Sequence, residues 1–202
     1  VFRIDLLHLK PPIFRTPQIQ GEYIPRRFME SPNGVWRQPL ATEGCEQVMA
    51  NLLHLDRWPS WHTSAGRILS EATGELHEGQ RFDLHRVERQ RLIEEMWTVK
   101  SIRKSEAPRF LEVEFAWEGQ QREGRPLGTA FAHLRLAVTV WGEDEGGVEI
   151  AAWWKIRWWA RFMRGRVNRL PRAMAKQWLN DASTTGSIPI PASYETAIDE
   201  SE

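Results

Sequence analysis

Residues 129–180 read TAFAHLRLAVTVW-GEDEGG-VEIAAWW-KIRWWARFMRGRVNRLPRAMAKQWLN, and a change of period inside this stretch decides the fold. From Thr129 to Trp141 the chain alternates. Ala130, Ala132, Leu134, Leu136, Val138 and Val140 fall on one face, the pattern of a half-buried strand. The turn Gly142–Gly147, rich in glycine and acid, joins it to a second strand over Val148–Trp154 and so predicts a hairpin. Beyond the hairpin, Phe162, Met163, Val167, Leu170, Met174, Trp178 and Leu179 recur at helical spacing through Asn180. Pro171 lies within that pattern and is expected to kink or interrupt the helix.

Working outward toward the N-terminus, more strand signals precede the hairpin. Phe110–Trp117 places Leu111, Val113, Phe115 and Trp117 on one face. Glu112 and Glu114 fall on the other face, where solvated carboxylates are expected. Leu92–Ile102, Gln80–Val87 and the short Gly66–Ala72 also carry strand composition, and Glu94 and Glu95 are expected in solvent like the other pair. Glu43–Asp56 holds Val48, Met49, Leu52, Leu53 and Leu55 at helical spacing, with Thr42 as the expected N-cap and Glu43 and Glu46 in its first turn. Val35–Thr42 reads as a first strand. Residues 1–32 contain Pro11, Pro12, Pro17, Pro25 and Pro32 with no sustained period, which predicts an extended arm. Residues 182–202 read as a second, acidic arm. The expected order is arm, strand, helix, about six further strands, long helix, arm, an α+β domain over 33–181.

Composition narrows the class. Charged residues at 27% beside 41% apolar ones describe a globular chain that can build a core. A single cysteine, Cys45, excludes a disulfide framework and fits a reducing, cytoplasmic setting. No apolar run approaches the ~20 residues of a spanning helix. The first ten residues, VFRIDLLHLK, lack a signal-peptide layout, and their start at Val1 suggests a processed or partial chain.

Net charge is zero, but its distribution is uneven. Lys155, Arg157, Arg161, Arg164, Arg166, Arg169, Arg172 and Lys176 are followed by no acid until Asp181. Such a block needs an anionic neighbour or lies in solvent. Interleaved Trp158, Trp159 and Phe162 suit a boundary between wet and dry surroundings. Arg157, Trp158, Trp159, Arg161, Arg164, Arg166, Arg169 and Arg172 are therefore candidates for contact with an anionic membrane surface or a larger membrane-associated complex. The mildly acidic remainder of the chain disfavours nucleic acid.

Two short segments carry a resemblance to a known family. Leu55–Trp61, LDRWPSW, resembles the D-x-x-x-W-P-x-W segment of the START-domain and polyketide-cyclase (SRPBCC, helix-grip) superfamily. Gly74–Phe82, GELHEGQRF, resembles the l-x-x-G-x-x-f pattern with which one of that family's strands begins. The resemblance implies a helix-grip fold, a curved antiparallel sheet of about six to seven strands wrapped around a long C-terminal helix. It also implies an apolar cavity for a hydrophobic small molecule, lipid or polyketide, with no shared catalytic residue to carry over and no cofactor. The candidate cavity residues are Leu111, Val113, Phe115, Trp117, Leu134 and Leu136 on the sheet, facing Phe162, Met163, Val167 and Met174 on the helix. The same periods also describe a filled core, and the sequence leaves both open.

Three functions stay in view. The first is a non-catalytic protein that binds or presents a hydrophobic molecule. The second is an accessory subunit docked through its arms and its Trp/Arg-rich helix. The third is a cyclase- or hydrolase-type enzyme, for which His54, Asp56, His62 and Arg135 are the candidate polar groups. No H-x-H or H-x-x-x-H pair occurs among the six histidines, so no metal site is expected.

Overall fold

The computed structural model describes residues 31–70, 74–88, 90–107, 109–142 and 146–186. The arm expected over 1–32 and most of the arm expected over 182–202 lie outside these residues. The strands are β1 (Gly34–Pro39), β2 (Arg67–Ser70), β3 (Arg81–Glu88), β4 (Arg91–Glu106), β5 (Arg109–Arg122), β6 (Arg125–Pro126), β7 (Phe131–Trp141) and β8 (Gly147–Ile156). They form one curved antiparallel sheet in the order β1-β8-β7-β5-β4-β3-β2, with β6 pairing β5 alone. From β2 to β8 each strand pairs the next, except that β5 pairs β7 past the short β6, and β1 adds at the far edge beside β8. Helices α1 (Thr42–Leu53), α2 (Trp58–Trp61), α3 (Arg164–Val167) and α4 (Arg169–Gly186) complete the fold, and α4 closes over the inner face. This is the helix-grip arrangement.

The expected hairpin forms, with Trp141 opposite Gly147. A Cβ on Gly147 would come within 2.6 Å of the Trp141 ring and 2.9 Å of the Gln38 carbonyl, so only glycine fits. Irregularities in β4 between Met96 and Trp97, and between Val99 and Ser101, allow the long β4–β5 ribbon to bend around the helix.

Several expectations are corrected. A bulge between Phe131 and His133 reverses the alternation at the start of β7. Phe131 is buried there and Ala132 exposed, so Ala130 and Ala132 leave the face shared by Leu134, Leu136, Val138 and Val140. Ala41, not Thr42, is the N-cap of α1, and it makes no side-chain bond. At the other end of α1, the Trp58 indole donates to the Leu52 carbonyl (3.2 Å) and the Leu76 amide to that of Leu53 (2.7 Å). Those carbonyls would otherwise lack partners at the helix end.

The single closing helix is instead a 3₁₀ segment over Trp158–Met163, then α3, then α4. Pro171 falls in the first turn of α4, where a missing N–H breaks no helical bond, so it starts the helix rather than kinking it.

The outward acids are corrected too. Glu112 and Glu114 are 7% and 6% exposed, and Glu95 is also buried. Arg103, directly across the ladder, pairs with Glu112; Arg135 pairs with Glu114 at 2.9 Å; Arg86 pairs with Glu95. Glu95 differs from the other two: it stands opposite core Leu84 in the ladder, so it and Arg86 lie on the inner face of the sheet.

Candidate functional site

The space between α4 and the sheet is packed with aromatic rings. Trp58 meets Trp61, Phe82, Phe115 and Trp178 edge-on, with centroids 5.3–5.6 Å apart. Trp178 in turn touches Trp97 (5.4 Å) and Phe115 (5.3 Å). Such pairs contribute about 0.5–1.5 kcal/mol each beyond their buried area. Leu111, Val113, Phe115, Leu134 and Leu136 stand in this same core, each 2% exposed or less. Val167 and Met174 are half-buried and pack against it. Met163 is half-buried, and Phe162 does not face the sheet but is 83% exposed. The 3₁₀ period of three explains this difference: Ala160 and Met163 share the inward column, which leaves 159 and 162 outside.

One polar group is enclosed by these rings. His62, 1% exposed, stacks on Trp58 and meets Trp178 edge-on at 4.8 Å. Its Nδ1 accepts from the Ser64 amide (3.2 Å), and its Nε2 is buried without a partner among the described residues. Burial, helped by the charge of Arg86, pushes the imidazole down to about 3, so it is neutral. The Asp181 carboxylate lies 3.4 Å from Nδ1 but accepts from the Thr63 amide (3.0 Å) and hydroxyl. Burial raises the Asp181 carboxyl, and the Thr63 bonds oppose that rise. Gln177 donates to the Thr63 and Ser64 hydroxyls (2.6 and 2.8 Å). The cluster fastens the segment after α2 to α4.

The expected grouping of His54 and Asp56 with His62 does not form around this imidazole, since the carboxylate beside it belongs to Asp181. Asp56 is exposed and His54 half-buried, bridged to Glu75. Arg135 lies on the outer face of the sheet, on Glu114 and over the Trp153 ring at 5.5 Å. Asp181 is the last residue of the domain expected over 33–181, beside the acidic arm, and only the fold places it inside.

Open space is found elsewhere. A cleft of about 590 Å³ lies where the end of β8, the 3₁₀ segment and the first turns of α3 and α4 meet. It is lined by Lys155, Arg161, Arg164 and Arg172, together with Asn33, Asn168, Trp154 and Ile156. Asn33 Oδ1 accepts from the Trp154 amide (2.7 Å) and Asn168 Oδ1 from the Trp154 indole (2.8 Å). Each asparagine therefore keeps its amide NH₂, a donor, for the cleft. Among the described residues none of the four cations has a carboxylate partner. The polar side chains of the lining offer positive charge and donors, a composition that fits an anion. Asn33 and Asn168 had no sequence signal beyond the position of Asn168 at the break before Pro171.

A second cleft, about 290 Å³, opens where β5 and β7 part beyond the Ala116–Arg135 pair. Trp117 and Phe131, edge-on at 6.1 Å, line it with Leu134, Arg135 and Arg157. The Arg157 guanidinium is held by the Phe131 carbonyl (2.9 Å). Neither cleft is lined by Leu111, Val113, Phe115 or Leu136. Among the described residues no three His, Cys, Asp or Glu side chains gather as a metal site. No helix among them is long and apolar enough to cross a membrane.

No protein-family model matches the sequence. No curated protein matches it either. Solved structures do resemble the fold. The di-domain ARO/CYC StfQ from the steffimycin biosynthetic pathway superposes with a TM-score of 0.53 at 13% identity, over 75% of this chain and 50% of that one. The di-domain ARO/CYC BexL from the BE-7585A biosynthetic pathway gives 0.54 at 12%, over 75% and 45%. This chain spans about half the length of those proteins or less. At such identities the likeness establishes the helix-grip fold.

Proposed function

We propose that this protein binds an amphipathic organic anion in the cationic cleft and does not transform it. The charged end would sit among Lys155, Arg161, Arg164 and Arg172. The apolar end would lie along Trp154 and Ile156, the apolar side chains of the lining. Trp117 and Phe131 mark the second cleft as a lesser alternative. The observation that carries the proposal is the convergence of four cations on one cleft with no carboxylate among the described residues of its lining. Unliganded, those charges repel one another, and an anion relieves the repulsion.

A binding role is supported by the chemistry of the lining. Among the described residues it contains no imidazole, carboxyl, hydroxyl or thiol to move a proton on a ligand. The buried imidazole of His62 is enclosed by Trp58 and Trp178. A cyclase role by analogy with the two ARO/CYC structures would need such a group at the cleft.

The test is extraction of the protein from its native source, followed by mass spectrometry of what it carries. Recovery of an amphipathic carboxylate, sulfate or phosphate is expected. Recovery of a neutral molecule alone would overturn the proposal.

A further inference from the structure

The 3₁₀ segment Trp158–Met163 carries exposed aromatic rings that the cleft does not use. Trp158 is 80% exposed, Phe162 83% and Trp159 44%. With three residues per turn, Trp158 and Arg161 share one column, Trp159 and Phe162 the next, and buried Ala160 faces the domain with Met163. Two of the three columns therefore project outward, one aromatic and one with a cation behind its tryptophan. Clustered exposed aromatics mark an interaction surface on a folded chain.

Charge selects the partner. Every cation from Lys155 to Lys176 is exposed, and no acid interrupts them over residues 155–179. A protein interface would oppose this strip with discrete carboxylates, whereas an anionic bilayer offers a uniform negative plane. Indoles also prefer that boundary, with the ring among acyl chains and the N–H among headgroups. We infer that Trp158, Trp159 and Phe162 insert into the headgroup region of an anionic phospholipid bilayer, and that Arg166 and Arg169 hold the protein against it. The inference is independent of the ligand in the cleft, because Trp158, Phe162, Arg166 and Arg169 do not line it.

The experiment is flotation of the purified protein with two kinds of vesicle, phosphatidylcholine alone and equimolar phosphatidylcholine–phosphatidylserine. Near an anionic surface each engaged cation is worth roughly fivefold in binding. Binding to the mixed vesicles only is expected, with release as salt rises from ~0.1 M to ~1 M. The Trp158→Ala/Phe162→Ala variant should bind at least about tenfold more weakly, with an unchanged melting temperature because both side chains are exposed. The Arg166→Glu/Arg169→Glu variant should lose the salt-sensitive part while keeping affinity for an anionic dye in the cleft.

Equal binding to both kinds of vesicle, or to neither, would overturn the inference. So would a folded double-alanine variant that stays bound. A protein captured through the patch while the vesicles are ignored would replace the bilayer with that protein.

Discussion

Gly44 in α1 and Gly186 at the end of α4 meet backbone to backbone: a Cβ on Gly44 would overlap the Gly186 carbonyl oxygen and lie 3.0 Å from its carbon. The contact locks the first helix to the last, beside buried Cys45. Backbone cannot swing aside as a flexible side chain can. Gly44→Ala should cost about 1–3 kcal/mol by overpacking, read as a lower denaturation midpoint at unchanged m-value. An unchanged midpoint would mean that the two helices slide apart freely.

Trp58 and Trp97 are both 1% exposed or less, but only Trp58 has a partner for its indole N–H. Replacing either with Phe removes similar bulk. Trp58→Phe also strips the Leu52 carbonyl of its donor, whereas Trp97→Phe removes a donor that had no partner. Trp58→Phe should therefore be the costlier change by about 1 kcal/mol, measured by urea unfolding of the two variants side by side. The reverse order would contradict this hydrogen-bond assignment.

The buried imidazole sets an acid limit on stability. His62 ionises at about 3 in the folded chain, against an ordinary 6.5. Its depressed value means that the unfolded chain takes up the proton first, so stability is complete above 6.5 and is lost as pH falls toward 3. The slope in that window should approach ~1.4 kcal/mol per pH unit. Asp181 acts with the opposite sign: its raised carboxyl contributes below the ordinary carboxylate value, and that contribution is lost as pH rises through the folded value. His62→Asn retains an acceptor near Nδ1 for the Ser64 amide and removes the titration. Its stability-versus-pH curve should be flatter than wild type between pH 6.5 and 3. Parallel curves would show that His62 is not the group responsible.

Alternation is readable in a sequence because one face of each strand is buried, and Leu134–Val140 and Leu111–Phe115 obeyed it. The bulge at Phe131–His133 was not readable, since one extra residue reverses the faces without changing composition. The helix break was misplaced for a related reason: Pro171 signals a boundary but not which side of it the helix occupies. The cationic block was legible as charge. Its division between Lys155, Arg161, Arg164 and Arg172 on the cleft and Arg166 and Arg169 away from it depends on how β8, the 3₁₀ segment, α3 and α4 are docked together, which charge spacing alone does not state. Asp181 was hidden because a carboxylate beside an acidic tail has the same sequence signature whether it faces water or the core.

The measurement closest to the central claim is a fluorescence titration with two dyes of similar shape, anionic 1-anilinonaphthalene-8-sulfonate and neutral N-phenyl-1-naphthylamine. If the cleft selects an amphipathic anion, wild type should bind the sulfonate at least about tenfold more tightly than the neutral dye, a difference of about 1.4 kcal/mol. Arg161→Glu/Arg172→Glu should abolish that preference without lowering the melting temperature. Equal affinity for the two dyes, or a preference that survives the charge reversal in a folded variant, would contradict the assignment of the cleft as an anion site.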